Sequence, residues 1–345
     1  MAALRPSDHI QAFVPYRPCA RRDHSRAVTT RPDAETLRTA LASAVRAPSV
    51  HNSRPWRWQV GADQLDLLAV PDLRLHHVDP GGRDFMLSCG ATLHHAVVAL
   101  AALGWQARVH RFPEPSDPDH LAKLTFSPRP PTEPDLALAA AIPRRRTDRR
   151  RYVSREVSPA DIAVMGARAA RGGVSLRRVE SLTGLHTAVD RAVREHLHDD
   201  AYLHELTRWS FRHGSVAGVP EANVAPADIA AAAPTRLFAD TPMAAPSPSA
   251  DDPDNAAILA LGTRDDDALA RLRAGEATSV VLLTAASIGL AGCPVTEPLE
   301  VPETRATLRE EIFESQAHPQ MLLRIGWAPE EADTLPATPR GPLSV

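Results

Sequence analysis

Two short stretches carry side chains able to do chemistry. The first, Ala47-Pro48-Ser49-Val50-His51-Asn52-Ser53-Arg54-Pro55-Trp56-Arg57-Trp58, crowds hydroxyls, an imidazole and an amide between two prolines. Short side chains that donate and accept hydrogen bonds, displayed on one loop, suit the reading of a polar planar ligand; the same composition also describes an ordinary surface turn. The second stretch, Arg144 to Tyr152, packs six arginines into residues 144–151. It reads as a solvated basic face, a nucleic-acid patch or a phosphate clamp. Thr147 adds a hydroxyl donor beside guanidiniums that grip phosphate oxygens in pairs, which favours the clamp. Lys123 is the single lysine among 39 basic residues, so any anion is held by guanidinium forks rather than ammonium point charges.

These stretches need elements to hold them. Before the loop, Asp33 to Arg46 spaces Leu37, Leu41 and Val45 four apart, a helix face with Asp33 as N-cap. Pro48 stops that helix, and Pro55 predicts an extended Arg54 before a strand over WRWQV. Strands near 57–60 and 65–70, a helix from Asp84 to Leu103 ended by Gly104, and strands 106–112 and 121–126 follow, with the prolines between 128 and 134 closing a first half. A second half opens on Ser158-Pro159, N-cap and first helical residue, and the helix runs to about Ala170. Strand 174–179, a helical run from Leu182 to Phe211, strand 256–261, helix 266–288, an irregular segment 289–300, helix 303–314 and strand 320–327 complete it. The proline- and alanine-rich stretch 214–254 reads as a lid or a linker, and the lid is preferred because the chain on both sides belongs to one half. Helices mixed with strands that pair non-locally make the class α+β, or an α/β sandwich.

Composition narrows the function. The chain has 345 residues and a net charge of −3, with no electrostatic footprint for bulk nucleic-acid binding. No stretch of about 18 uninterrupted apolar residues indicates a membrane span, and residues 1–30 read as an arm rather than a signal peptide. Cys19, Cys89 and Cys293 make neither a disulfide framework nor a C-x-x-C site, which points to the cytoplasm. His196, His198 and His204 lie among Asp199, Asp200 and Glu205 at spacings that do not converge on a metal. His76-His77 read as strand-end residues, His94-His95 as helix-surface residues, and Trp105, Trp209 and Trp327 as core or interface aromatics. No G-x-G-x-x-G follows a strand, so a dedicated dinucleotide fold is not expected, and no nucleophile triad can be assigned from spacing.

The loop resembles the P-S-x-x-N-x-Q-P-W element of nitroreductase-like flavoproteins, with Pro48, Ser49 and Asn52 matching, Pro55-Trp56 at its Pro-Trp and Arg54 in place of Gln. The arginine run is similar to the family's R-[RH]-[ST]-x-[RK]-x-[FY] element. That likeness implies Arg145 and Thr147 on the phosphate of FMN and Arg149, or Arg150 one residue on, at the flavin N1/O2 edge. The stretch from Ala285 to Pro298 matches the family segment that sets a backbone N–H against flavin N5. Pro294 and Pro298 have no N–H, which leaves Thr296 or Glu297 as donor. Arg340, in Thr338-Pro339-Arg340, stands where similar proteins place a further phosphate arginine.

The loop lies in the first half and the other motifs in the second, the pattern of the internally duplicated Acg-type subfamily, over roughly residues 30–343. The resemblance implies antiparallel central sheets flanked by helices, in two related halves (31–140 and 141–345) that imitate a homodimer and retain one FMN site. The chain would then be a pseudo-dimeric monomer or a weak dimer. It would reduce nitro or quinone compounds through flavin N5, with NAD(P)H as a transient donor and no side-chain nucleophile. The alternative is a flavin-sequestering, stress-related protein whose site the lid covers.

Overall fold

The computed structural model describes residues 31–152, 155–209, 217–219, 254–329 and 335–340. The arm 1–30 and nearly all of 214–254 lie outside them. Helix α1 (Ala34–Ala44) starts where expected: the Asp33 carboxylate accepts from the Thr36 N–H at 2.8 Å, and Leu37, Ala40, Leu41 and Ala44 turn inward. Strands β1 (Trp56–Val60), β2 (Gln64–Ala69), β3 (Trp105–Arg111) and β4 (His120–Pro128) form an antiparallel sheet in the order β1-β2-β4-β3. Between β2 and β3 runs α2 (Arg83–Ala102). It is the one described helix long and apolar enough to cross a membrane, and most of it is buried against protein.

The second sheet repeats the plan. Strands β5 (Ser175–Arg178), β6 (Ala257–Thr263), β7 (Ala291–Val295) and β8 (His318–Gly326) pair antiparallel in the order β5-β6-β8-β7, the same sequence of ranks as in the first sheet. Again a long helix, α7 (Ala268–Ser287), precedes the third strand. Helices α2 and α7 cross at two glycines. Gly90 lies seven residues after Arg83 and Gly275 seven after Ala268. A Cβ on Gly90 would stand 2.0 Å from the Leu272 carbonyl oxygen, and one on Gly275 2.1 Å from that of Leu87. This reciprocal contact is the signature of a two-fold interface, here between the halves of one chain. The α+β class and the duplicated halves are therefore as the sequence implies.

Several local expectations are corrected. The prolines after β4 do not end in coil: Thr132 and Asp135 form a capping box that starts α3 (Glu133–Ala141), with Pro134 in its first turn. Helix α4 (Pro159–Ala170) forms as read, but the run from Leu182 breaks into α5 (Leu182–Leu197) and α6 (Asp200–Trp209). Asp199 makes the break, because its carboxylate accepts from the N–H groups of Ala201 and Tyr202 and so caps a new helix; Phe211 lies outside the described residues. The segment 289–300 is not irregular. It contains β7 and then the short helix α8 (Glu297–Glu300), ahead of α9 (Pro302–Phe313). Pro294 is tolerated inside β7 because that strand is an edge and needs no donor on its outer side.

Candidate functional site

The loop after α1 is held in an unusual shape. His51, Asn52 and Arg54 have φ of 44°, 54° and 51°, a left-handed conformation that costs about 1–3 kcal/mol per residue and gathers at functional sites. Arg54 is therefore not extended, contrary to the expectation from Pro55. The reason is local: the Ser49 hydroxyl accepts the Arg54 N–H at 3.0 Å, and the Arg54 carbonyl accepts from Trp56 at 2.8 Å. The loop is also tied to α2, since the Val50 N–H donates to the Ser88 Oγ at 3.0 Å.

The second half supplies the facing wall. Thr147 bridges to Gly292 in β7, and the Asp148 N–H donates to the Gly292 carbonyl at 3.2 Å. Arg150 turns to the Asp148 carboxylate at 2.7 Å, and it is Arg149 that lines the cleft. Pro48 and Ser49 from the loop, Thr147 and Arg149, and Pro294 and Thr296 from the end of β7 meet around a cleft of about 790 Å³, its open mouth included. Asp84 and Ser88 of α2, Thr278 of α7 and Val219 complete its lining. The Glu297 side chain does not line it. Its side chain is buried 3.4 Å from His196 Nδ1, while Thr296 Oγ1 donates to Glu300 at 2.8 Å.

Arg340 joins Asn52 of the loop to Arg145 of the second half. Arg340 Nη1 donates to Asn52 Oδ1 at 2.8 Å and Nη2 to the Arg46 carbonyl at 3.2 Å. Arg145 and Arg340 share a small pocket with Arg46, Arg146 and Thr338. Arg145 is 9% exposed, and its Nε and Nη1 find no partner; nor does the Nε of Arg340 or of Arg54. No carboxylate pairs with Arg145 or Arg340 among the described residues. Burial, and then the charges of Arg146 and Arg46, lower Arg145 to about 10. Burial, and then Arg145, Arg54 and Arg46, lower Arg340 to about 9. Desolvated, mutually repelling guanidiniums with idle N–H groups are costly without an anion.

Some residues around the site were missed or misread from sequence. Arg46 and Arg54 join the cationic cluster, and Asp84, unmarked by any motif, is buried on the cleft wall. His94 and His95 are not on a helix surface: they lie at the α2–α7 seam, each within bonding distance of Ser279 Oγ (2.7 and 2.9 Å). Burial, and next the charge of Arg145, hold His95 well below the usual imidazole value. His76 and His77 sit in a turn, not at a strand end, and their N–H groups donate to the Glu205 carboxylate.

Asp79 gives a pH prediction. Its Oδ2 accepts the Phe85 N–H at 2.7 Å, yet burial first, and the Asp84 charge second, raise its carboxyl to about 6. A raised folded-state value means a contribution that is complete below the unfolded value, near 4, and lost as pH rises through 6. Asp79→Asn, which keeps the acceptor, is expected to gain stability relative to the parent between pH 4 and 7, measured as the difference in urea midpoints.

No family model matches the chain. It is 58% identical over 313 residues to a Mycobacterium tuberculosis protein provisionally named NAD(P)H nitroreductase, covering 91% of each chain. It is 35% identical over 318 residues to the protein provisionally named NAD(P)H nitroreductase acg from the same organism, covering 90% of this chain and 94% of that one. Among solved structures, nitroreductase NfnB from Mycobacterium smegmatis in complex with NADPH aligns with 60% of this chain and 96% of its own, at 18% identity and a TM-score of 0.38. A Bacteroides fragilis nitroreductase with bound FMN aligns with 57% and 90%, at 14% identity and 0.37. Both scores are low, so kinship rests on the sequence relatives.

Proposed function

The chain belongs to the Acg-type family of nitroreductase-like proteins, and from that premise we propose that it binds FMN and passes electrons from NAD(P)H to nitro or quinone compounds. The observation that carries this reading is the cluster of buried Arg145 and half-buried Arg340, which has no carboxylate partner among the described residues. It has idle N–H donors for a phosphate, and Arg145 lies two residues before Thr147, which with Ser49 and Thr296 frames the cleft. Each charge-assisted hydrogen bond to such a phosphate is worth about 1.5–3 kcal/mol. Arg145, Arg340 and Thr147 would hold the phosphate, and Asn52 keeps Arg340 in place through their mutual hydrogen bond. The left-handed loop and the Pro294–Thr296 edge would hold the ring system between them, with the N–H of Thr296 or Glu297 toward its reactive edge. When bound, FMN supplies hydride exchange at N5, chemistry that no side chain provides. Arg149 sets a cation in the cleft wall, where it offsets negative charge on an electron-accepting ring.

A second reading, flavin sequestration, is favoured by Gly218 and Val219. The Gly218 carbonyl accepts from Asn52 Nδ2 at 3.1 Å, and Val219, 8% exposed, lines the cleft. On this reading Gly218 and Val219 restrict the exchange of donor and acceptor at the flavin. The pseudo-two-fold α2–α7 contact also supports a chain that acts as a monomer.

Purified protein is expected to be yellow, to release FMN on denaturation and to oxidise NADPH steadily with a nitroaromatic or quinone acceptor. Yellow protein that is inert, and becomes active when residues 222–250 are shortened, would select sequestration. Colourless protein indifferent to added FMN would end both readings.

A further inference from the structure

Asp84 has no structural duty that accounts for its second carboxylate oxygen. It sits in the first turn of α2, where an acidic side chain ordinarily satisfies free N–H groups. Asp79 does that work instead, accepting the Phe85 N–H. Arg83 donates to Asp84 Oδ1 from both Nε (3.1 Å) and Nη2 (2.7 Å), so that oxygen is already engaged. Oδ2 has no hydrogen-bond partner, although the residue is 2% exposed and lines the cleft. A carboxyl oxygen buried and unbonded is expensive unless a ligand completes it.

The neighbouring polar groups on the same wall have already given their hydrogens away. Ser88 Oγ donates to the Asp84 carbonyl at 2.6 Å and accepts from Val50, and Thr278 Oγ1 donates to the Ala274 carbonyl at 2.8 Å. The wall formed by α2 and α7 therefore offers acceptors and no donors, so a molecule lying against it must bring the hydrogen.

We propose that Asp84 Oδ2 is a ligand-reading acceptor, bonded to an amide-type N–H of the planar heterocycle in the cleft; this rests on the reading of the cleft as a flavin site. Two heterocycles could bring that group, the imide N–H of the flavin or the carboxamide of a nicotinamide donor. Either makes Asp84 a determinant of what the cleft accepts.

Two pairs of ligands separate them. Flavin-free protein is titrated with FMN and with its N3-methyl derivative, and FMN-loaded protein with NADH and with the reduced 3-acetylpyridine analogue, which lacks the N–H. Binding is read by fluorescence. The natural member of one pair is expected to bind about tenfold or more tightly than its analogue, since the analogue leaves the buried acceptor unsatisfied. The flavin pair or the nicotinamide pair responding names the source. In Asp84→Asn, which turns an NH2 toward the cleft, that preference is expected to fall below about threefold.

Equal binding within both pairs overturns the proposal, as does a preference that persists unchanged in folded Asp84→Asn. The parent-protein comparison needs no variant and stands if Asp84→Asn does not fold. Failure to bind FMN at all would instead overturn the reading of the cleft, and this assignment with it.

Discussion

Arg145→Met is expected to weaken FMN binding by about one to two powers of ten while raising the melting temperature of the flavin-free protein. The two effects share one cause. Arg145 is buried with two idle nitrogens beside Arg340, Arg46 and Arg146, so in the free protein its charge is unpaired and repelled. An apolar side chain of similar length removes that cost, since replacing an unpaired buried charge relieves more than it loses. The same change deletes phosphate contacts of about 1.5–3 kcal/mol, and each 1.4 kcal/mol is a factor of ten in affinity. Fluorescence titration with FMN and thermal melts without it measure the two sides. Millimolar orthophosphate should stabilise the parent by mass action and leave the variant nearly unmoved. An unchanged FMN affinity in Arg145→Met would remove the phosphate from this pocket.

Gly275→Val tests what joins the halves. Its Cβ would lie 2.1 Å from the Leu87 carbonyl oxygen and 2.8 Å from Leu87 Cα, both backbone atoms of a buried helix. No side-chain rotation relieves such an overlap, so α2 and α7 must separate. A loss of at least about 3 kcal/mol is expected, the upper end for overpacking, with Gly90→Val alike from the other side. Asp84 on α2 and Thr278 on α7 share the cleft wall, so any folded fraction should also bind FMN less tightly. Gly81→Ala is the control: a Cβ there meets nothing within 4 Å, and such surface changes stay within about 0.5 kcal/mol. Urea unfolding of the three variants decides; a Gly275→Val protein as stable as Gly81→Ala would mean that the helices do not cross this closely.

The corrections to the sequence reading follow one pattern. Features governed by neighbours along the chain were legible: the Asp33 and Ser158 caps, the stop before Gly104 and the strand over WRWQV all depend on residues a few positions apart. Features governed by side chains that override propensity were not. Asp199 broke one expected helix into two, the Thr132–Asp135 box made a helix of a proline-rich stretch, and an edge position allowed a strand through Pro294. Arg54 shows the limit most clearly, because a single hydroxyl, that of Ser49, outweighed the usual preference of a residue before proline.

From its residues alone the chain determined its chemical vocabulary: guanidinium donors almost without lysine, a serine–asparagine loop, and two sets of strands and helices able to form matching sheets. Tertiary structure decided which members of that vocabulary meet. It turned Arg150 to Asp148 and Arg149 to the cleft, turned the Glu297 side chain toward His196, and brought Arg46 and Arg54 into the cationic cluster. It also buried Asp84 with one oxygen unbonded. The physical reason is that pairing and burial depend on distances across the α2–α7 seam and between loops far apart in sequence. A charge becomes expensive, and thus informative, only where folding has removed its water without supplying a partner.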